Sequence, residues 1–290
     1  MDTAIASGLS LQNILLATDF SAWSNAALSY AVGLCQRYHS TLYIVHVVRE
    51  EISEVQPPDP FYLLHSAEAR MKSLAMADPF RGVQHRELLR EGDVARELAE
   101  LVEGLRIDLL ALGTRGRGGI KKMLLGSVAE EIVGSARCPV VTVGPQVSTL
   151  GSAGNLKNIL YATDLLRDSG RALDFAMHLA RQEQARLTLV HVVKPLTDAP
   201  SDYLEAARVD AERRIRQLLP SEIDANYEVE VGMPAELILR AALGKKADLI
   251  VIGAHHGSSA RVSAHLPWTT PHQVISHASC PVVTVREPVS

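Results

Sequence analysis

The hydrophobic positions of the chain fall into two alternating rhythms. Short apolar blocks, Ile14–Ala17, Leu42–Val48, Leu109–Leu112 and Val140–Val143, are rich in Val, Ile and Leu and predict buried strands. Longer stretches with helical spacing lie between them. The first starts from Ser21 or Ser24 as a cap and reaches about Tyr38, with Ala27, Ala31 and Leu34 on one face. Phe61–Met76 and Asp93–Leu105 carry similar stripes, and Glu130–Ala136 belongs to a helix begun near Ser127. Val83–Arg90 is more polar and fits an edge strand. This alternation predicts an α/β fold, a parallel sheet with helices on both faces. Ligands of such sheets bind beyond the carboxyl ends of the strands, where strand order reverses. The residues to inspect are therefore Asp19, Val47 onward and Gly113 onward.

The whole pattern occurs twice. Asn13–Asp19 (NILLATD) returns as Asn158–Asp164 (NILYATD), and Leu42–Val48 returns as Leu187–Val193, both displaced by 145 positions. Asp108–Gly113 matches Asp248–Gly253 at 140, and Cys138–Val143 matches Cys280–Val285 at 142. Blocks in the same order with small insertions mean two copies of one domain. A chain of 290 residues has room for both. Ser, Gly and Thr crowd between Gln146 and Asn155, which sets the copies at residues 1–150 and 151–290.

Composition narrows the function classes. With 29 Lys+Arg against 33 Asp+Glu, the net charge of −4 argues against a nucleic-acid partner, which needs a basic patch. No apolar run approaches the roughly 18–20 residues of a membrane span. The first residues, MDTAI, lack the basic start and apolar block of a secretory signal. Cys35, Cys138 and Cys280 are too few for a disulfide framework and show no metal-binding spacing. The expected location is the cytoplasm, with reduced and buried thiols.

The chemistry concentrates in GTRGRGGIKKMLLGS, Gly113–Ser127. Its glycines permit positive φ and close backbone approach to a ligand. Successive N–H groups here and at the helix start near Ser127 form an anion cradle. Arg115, Arg117, Lys121 and Lys122 add positive charge with no acid between Gly113 and Gly126. This is a phosphate-binding composition. It lacks the Walker pattern, and it does not follow the first strand as the Rossmann fingerprint would.

The spacing G-x2-G-x9-G-[ST], met by Gly113, Gly116, Gly126 and Ser127, resembles the nucleotide motif of the universal stress protein family. The resemblance extends to Thr18-Asp19, to the His46-Val47 strand end and to the closing CPVVTV strand, and it covers nearly the whole chain twice. It implies a five-stranded parallel α/β sandwich of the adenine-nucleotide alpha hydrolase-like type in each copy. It also implies adenine held by Asp19 and the backbone at Val47, with Ala17 and Thr18 lining that edge. Ribose and phosphates fall to Gly113, Gly116, Gly126, Ser127 and the Val128 amide, with Leu112 closing the strand before the loop and Arg115 within it. The implied cofactor is ATP with Mg²⁺. The implied role is that of a stress-response sensor or regulator, with slow ATP hydrolysis as a weaker alternative and no catalytic residue assigned. The family commonly dimerises through its last strand. Val140–Val143 and Val282–Val285 would accordingly pair within one chain as a pseudo-dimer, with a homodimer as a further state.

The second copy departs from the motif. It reads Gly253-Ala254-His255-His256-Gly257, and the Gly126-Ser127 position becomes Trp268-Thr269, flanked by Pro267 and Pro271. Trp and Pro at those places oppose an amide cradle. Arg261 is the only Lys or Arg from Gly253 to Trp268, while Asp164 and Val192 persist. The expectation is one competent nucleotide site, in the first copy. Such a degenerate loop could instead present a surface to a protein partner, making the chain an interaction scaffold. Plainer readings stand beside these. Asp19 could cap the following helix, His46 and His191 could be packed strand residues, and the second-copy histidines, His255, His256, His265, His272 and His277, could be loop or surface residues.

Overall fold

The computed structural model describes residues 11–49, 60–76, 80–114, 125–144, 147, 156–165, 170–195, 200–219, 223–254 and 269–286. They fall into two compact units, built chiefly from residues 11–145 and 155–290. The first unit runs β1 (Asn13–Ala17), α1 (Ala22–Tyr38), β2 (Thr41–Val48), α2 (Pro60–Met76), β3 (His85–Glu91), α3 (Val94–Gly104), β4 (Leu109–Gly113), α4 (Ser127–Ser135) and β5 (Val140–Val143). Its strands are all parallel, in the order β3-β2-β1-β4-β5. The chain builds outward from β1 to β3, then crosses back to add β4 and β5 on the other side. Strand order therefore reverses between β1 and β4, which opens a crevice at their carboxyl ends.

The second unit repeats this plan with β6 (Asn158–Thr163), α5 (Gly170–Glu183), β7 (Arg186–Val193), α6 (Ser201–Leu218), β8 (Ala225–Val231), α7 (Pro234–Gly244), β9 (Leu249–Ala254), α8 (Thr270–His277) and β10 (Val282–Arg286). Its parallel order is β8-β7-β6-β9-β10.

The central strands are buried on both faces, which is why their sequences are continuously apolar rather than alternating: Ile14, Leu15 and Leu16 have no exposed surface. At the edge, β3 is exposed along most of its length, which accounts for its polar sequence. It starts at His85 rather than Val83, because Val83 is buried in a turn whose N–H bonds the Phe80 carbonyl. Helix α1 is capped by Ser21, whose Oγ accepts the Ser24 N–H at 3.2 Å. It ends at His39 in the left-handed region.

At the amino ends of the strands, opposite the crevice, one carboxylate ties β4 to β1. Asp108 Oδ2 accepts the N–H groups of Gln12 and Asn13 at 2.8 and 2.9 Å, while Asn13 Nδ2 donates to the Arg106 carbonyl. Asp248 repeats the latch on Lys157 and Asn158 at 2.8 and 2.9 Å. The non-glycine residues with positive φ among those described also come in duplicated pairs: Phe20 with Leu165, His39 with Gln184, and Arg106 with Lys246. The second copy has thus kept the turns of the first.

Candidate functional site

At the carboxyl end of β1 the backbone turns sharply through Thr18, Asp19 and Phe20. Phe20 sits at φ 59°, an uncommon conformation for a residue with a side chain. Two local bonds hold it there. The buried Thr18 Oγ1 accepts the Phe20 N–H at 3.0 Å, and Asp19 Oδ1 accepts the Ser21 N–H at 3.0 Å. Asp19 is therefore not the cap of α1. Ser21 has that role, and the Asp19 carboxylate braces the turn before it, half-buried at the crevice edge.

His46 fixes this turn from the neighbouring strand. Its Nδ1 lies 2.7 Å from the Thr18 carbonyl oxygen, which can only accept, so Nδ1 carries the proton. The ring also packs on Phe20 with centroids 4.6 Å apart. His46 is thus a packed, hydrogen-bonded strand residue.

Hydrogen-bond parity sets which way the Val47 backbone groups point. Thr41 N–H bonds Gln12 and the Val45 carbonyl accepts from Thr18, so odd-numbered residues of β2 face β1. The Leu42 N–H and the Val48 carbonyl bond on the β3 side. The β1–β2 register ends at Ala17 with Val45. The Val47 backbone N–H and C=O hence face the β1 side where β1 has already ended. They offer one donor and one acceptor at the crevice edge.

Across the crevice, Leu112 is buried within β4 and Gly113 ends that strand. A Cβ at Gly113 would lie 2.7 Å from both the carbonyl carbon and oxygen of Trp23 and 3.0 Å from the Ser24 nitrogen. These are backbone atoms of the first turn of α1. A side chain here would push the helix off the strand end, and the glycine is not in the positive-φ region. Gly126 is likewise at φ −74°, ψ 149°. The positive φ expected of the motif glycines is thus not found at these two positions.

Gly126 is the N-cap of α4, with its N–H on the Thr114 carbonyl at 2.8 Å and its carbonyl accepting from Glu130 at 2.9 Å. It has no side chain to cap the first amides of the helix, those of Ser127 and Val128 among them. Ser127 is exposed and Val128 half-buried at this end. Arg115 and Gly116, like Arg117, Lys121 and Lys122, lie outside the described residues. Of the expected set, the structure brings Ala17, Thr18, Asp19, Val47, Leu112, Gly113, Gly126, Ser127 and Val128 to the carboxyl ends of β1, β2 and β4. The sequence reading missed Thr114 and Phe20. A signal for Phe20 was its position directly after the repeated Ala-Thr-Asp.

The second unit keeps the turn and changes the rest. Thr163 Oγ1 accepts the Leu165 N–H at 3.0 Å, and His191 Nδ1 meets the Thr163 carbonyl at 2.8 Å. Pairing of β6 with β7 runs one residue further, to Thr163 with His191. The Arg214 guanidinium donates to the Leu165 carbonyl, and Asp164 is exposed. Burial, with Arg214 adding to it, pushes the His191 imidazole below its ordinary value against the opposing effect of the Thr163 carbonyl.

At α8 the contrast with α4 is plain. Thr269 is the N-cap, its hydroxyl accepts the His272 N–H at 3.4 Å, and a proline stands in the first turn. One orphan amide is already satisfied and another is absent. His272 is buried, against the surface position expected of it, because it shares its helix face with buried Ile275 and Ser276. His277 is exposed and bonds the Gln273 carbonyl through Nδ1. His255, His256 and His265 lie outside the described residues.

The three thiols are buried, and burial raises each to about 12. Among the described residues no group of three or more His, Cys, Asp or Glu converges to hold a metal ion. Nor is any helix among them long and apolar enough to cross a membrane.

Comparison with known proteins agrees with this architecture. The family model of the universal stress protein family matches twice, over residues 10–144 and 155–286. A universal stress protein of Methanocaldococcus jannaschii is 32% identical over 151 residues, 49% of this chain and 88% of that protein. One from Mycolicibacterium smegmatis spans both copies, 24% identical over 292 residues that cover 94% of this chain and 96% of its own length. The crystal structure of a universal stress protein from Archaeoglobus fulgidus shares the fold, with a TM-score of 0.70 at 21% identity over 94% of this chain and 98% of that one. Two consecutive matches, each on a unit with its own reversed-order parallel sheet, make the chain a tandem, two-domain member of the universal stress protein family.

Proposed function

We propose that the chain is an ATP-binding stress-response regulator whose nucleotide is held by the first domain, residues 1–150, while the second, residues 151–290, has a degenerate site. The observation that carries this reading is the difference between the two helix starts facing the two crevices. Among the described residues the α4 amides have a glycine cap and no side-chain cap bond, whereas α8 is closed by the Thr269 hydroxyl and a proline. Unsatisfied amides at a helix start are an anion site, and a phosphate chain is an anion of the right reach. Asp19 and the Val47 backbone would take the adenine and ribose end, and Gly126, Ser127 and Val128 the phosphates, joined by Gly113, Gly116 and Arg115 as the family motif has them. Magnesium would come with the nucleotide and neutralise phosphate charge. Its preference for phosphate oxygens and retained water lets the nucleotide itself supply its first ligands.

The role is binding rather than turnover, with the bound and free forms presenting different surfaces to a protein partner. The test is mass spectrometry of ligand released from freshly purified protein, with calorimetric ATP titration of the wild type and Gly126→Trp. The expected result is one ATP per chain, lost in the variant. Two per chain would refute the degenerate second site. No binding at all would refute the nucleotide reading and favour a protein-interaction scaffold.

A further inference from the structure

One polar group at this site is used by nothing so far described. Thr114 follows β4 directly and has no exposed surface. Both of its backbone groups are engaged: its N–H bonds the Val143 carbonyl at 3.2 Å and its carbonyl accepts the Gly126 N–H at 2.8 Å. Its hydroxyl is different, buried with no hydrogen-bond partner among the described residues. A buried hydroxyl without a partner is a net cost to the fold, and valine, which has the same shape, would avoid it. The same β4 end in the second copy gives an internal control. There Gly113-Thr114 is replaced by Gly253-Ala254, and no hydroxyl is present. The copy whose helix start has a side-chain cap lacks the hydroxyl, and the copy without that cap carries it.

We infer that Thr114 is a further ligand-binding residue of the first domain, whose hydroxyl donates to a phosphate oxygen of the bound nucleotide. The inference rests on the nucleotide reading above and deepens it. Thr114 is tied by its own carbonyl to Gly126, the cap of the helix that would receive the phosphates, so the residue stands at the phosphate end rather than the adenine end. The hydroxyl is costly to the fold alone and is repaid by an oxyanion. Its role is therefore separable from stability, which is unusual for a fully buried side chain.

The experiment compares ATP affinity and nucleotide-free thermal midpoint for the wild type, Thr114→Val, Thr114→Ser and Thr114→Ala, the last copying the second domain. Thr114→Val is expected to weaken ATP binding about tenfold or more, the worth of one hydrogen bond to a charged group. Its nucleotide-free midpoint should stay at or above that of the wild type. Thr114→Ser keeps the donor and should stay within about threefold in affinity. Thr114→Ala supplies the same affinity comparison if the valine variant does not fold. Unchanged affinity in both Thr114→Val and Thr114→Ala would overturn the inference. So would a loss of affinity matched by a lowered nucleotide-free midpoint and shared by Thr114→Ser, since that pattern is structural. If the wild type itself binds no ATP, the nucleotide reading fails first and the inference falls with it.

Discussion

Replacing Gly113 by alanine tests whether the first motif glycine serves the fold or the ligand. The added methyl would lie 2.7 Å from the carbonyl carbon and oxygen of Trp23 and 3.0 Å from the Ser24 nitrogen. None of these atoms belongs to a flexible side chain, so relief requires the start of α1 to move off β4. Overpacking a close-packed site costs about 1–3 kcal/mol. Moving this helix end also strains the Ser21 cap, a feature worth about 0.5–2 kcal/mol. We therefore expect the first domain to lose about 3 kcal/mol. The assay is urea unfolding followed by Trp23 fluorescence in a Trp268→Phe background, which leaves Trp23, in the first turn of α1, as the single tryptophan of the two in the chain. Gly134→Ala is the matched control. Nothing lies within 4 Å of a Cβ there, and its position in α4 predicts a stabilisation of no more than about 1 kcal/mol. A Gly113→Ala variant within about 0.5 kcal/mol of the wild type would refute the steric argument. If such a variant also lost nucleotide, the glycine would be shown to serve the ligand instead.

Three further outcomes follow from the same geometry. Asp108→Ala leaves the Gln12 and Asn13 amides without their acceptor and should cost about 1–3 kcal/mol in the same Trp23 unfolding assay; an unchanged midpoint would refute the latch. His191 is held below its ordinary value of 6.5, so the unfolded chain binds more protons between the two values. Acidification from pH 7 toward 5 should accordingly destabilise the second domain, and His191→Asn, with an amide nitrogen in place of Nδ1, should flatten that slope in urea unfolding monitored at each pH. A slope unchanged in the variant would assign the pH dependence elsewhere. With thiol values near 12, about one in ten thousand of each cysteine is thiolate at pH 8, so a disulfide reagent should label none within minutes in the native chain and all three in denaturant. Fast native labelling of Cys35, Cys138 or Cys280 would contradict their burial.

Most of the sheet was legible because its strands are buried on both faces and so read as uninterrupted apolar runs, as Ile14–Leu16 does. The edge strand was legible in kind but not in its limits, since the turn ending at Val83 looks like strand in composition. The ordering of roles at the first crevice was harder to read. Asp19 and Ser21 are both capping residues by type, and only the three-dimensional turn shows that Ser21 takes the cap while Asp19 takes the Ser21 amide. Of the two reasons for glycine in the motif, positive φ holds at neither described position. At Gly113 the demand comes from the start of α1, where Trp23 is ninety residues earlier in the chain. No local spacing encodes such a contact. The burial of His272 was hidden for a related reason, because a histidine one turn inside a short helix is inward or outward according to packing partners that the helix does not itself specify.

The duplication separates what the fold needs from what the site needs. Both copies keep the Thr-centred turn, the histidine that bonds its carbonyl and the aspartate latch at the far end of the sheet. These are backbone-satisfying contacts, and losing any of them would leave a polar group unpaired in either copy. The copies differ at the helix start and at the residue after the fourth strand: Gly126 against a Thr269 cap, Thr114 against Ala254. In the second copy the helix start has its own side-chain cap, and the buried Thr114 hydroxyl has no counterpart. A domain relieved of ligand binding is free to satisfy its own amides and discard a buried hydroxyl, gaining stability at each step. A domain that still binds an anion must keep both. Two positions that differ in this one direction support the proposed division, with a nucleotide site in the first crevice and a structural helix start in the second.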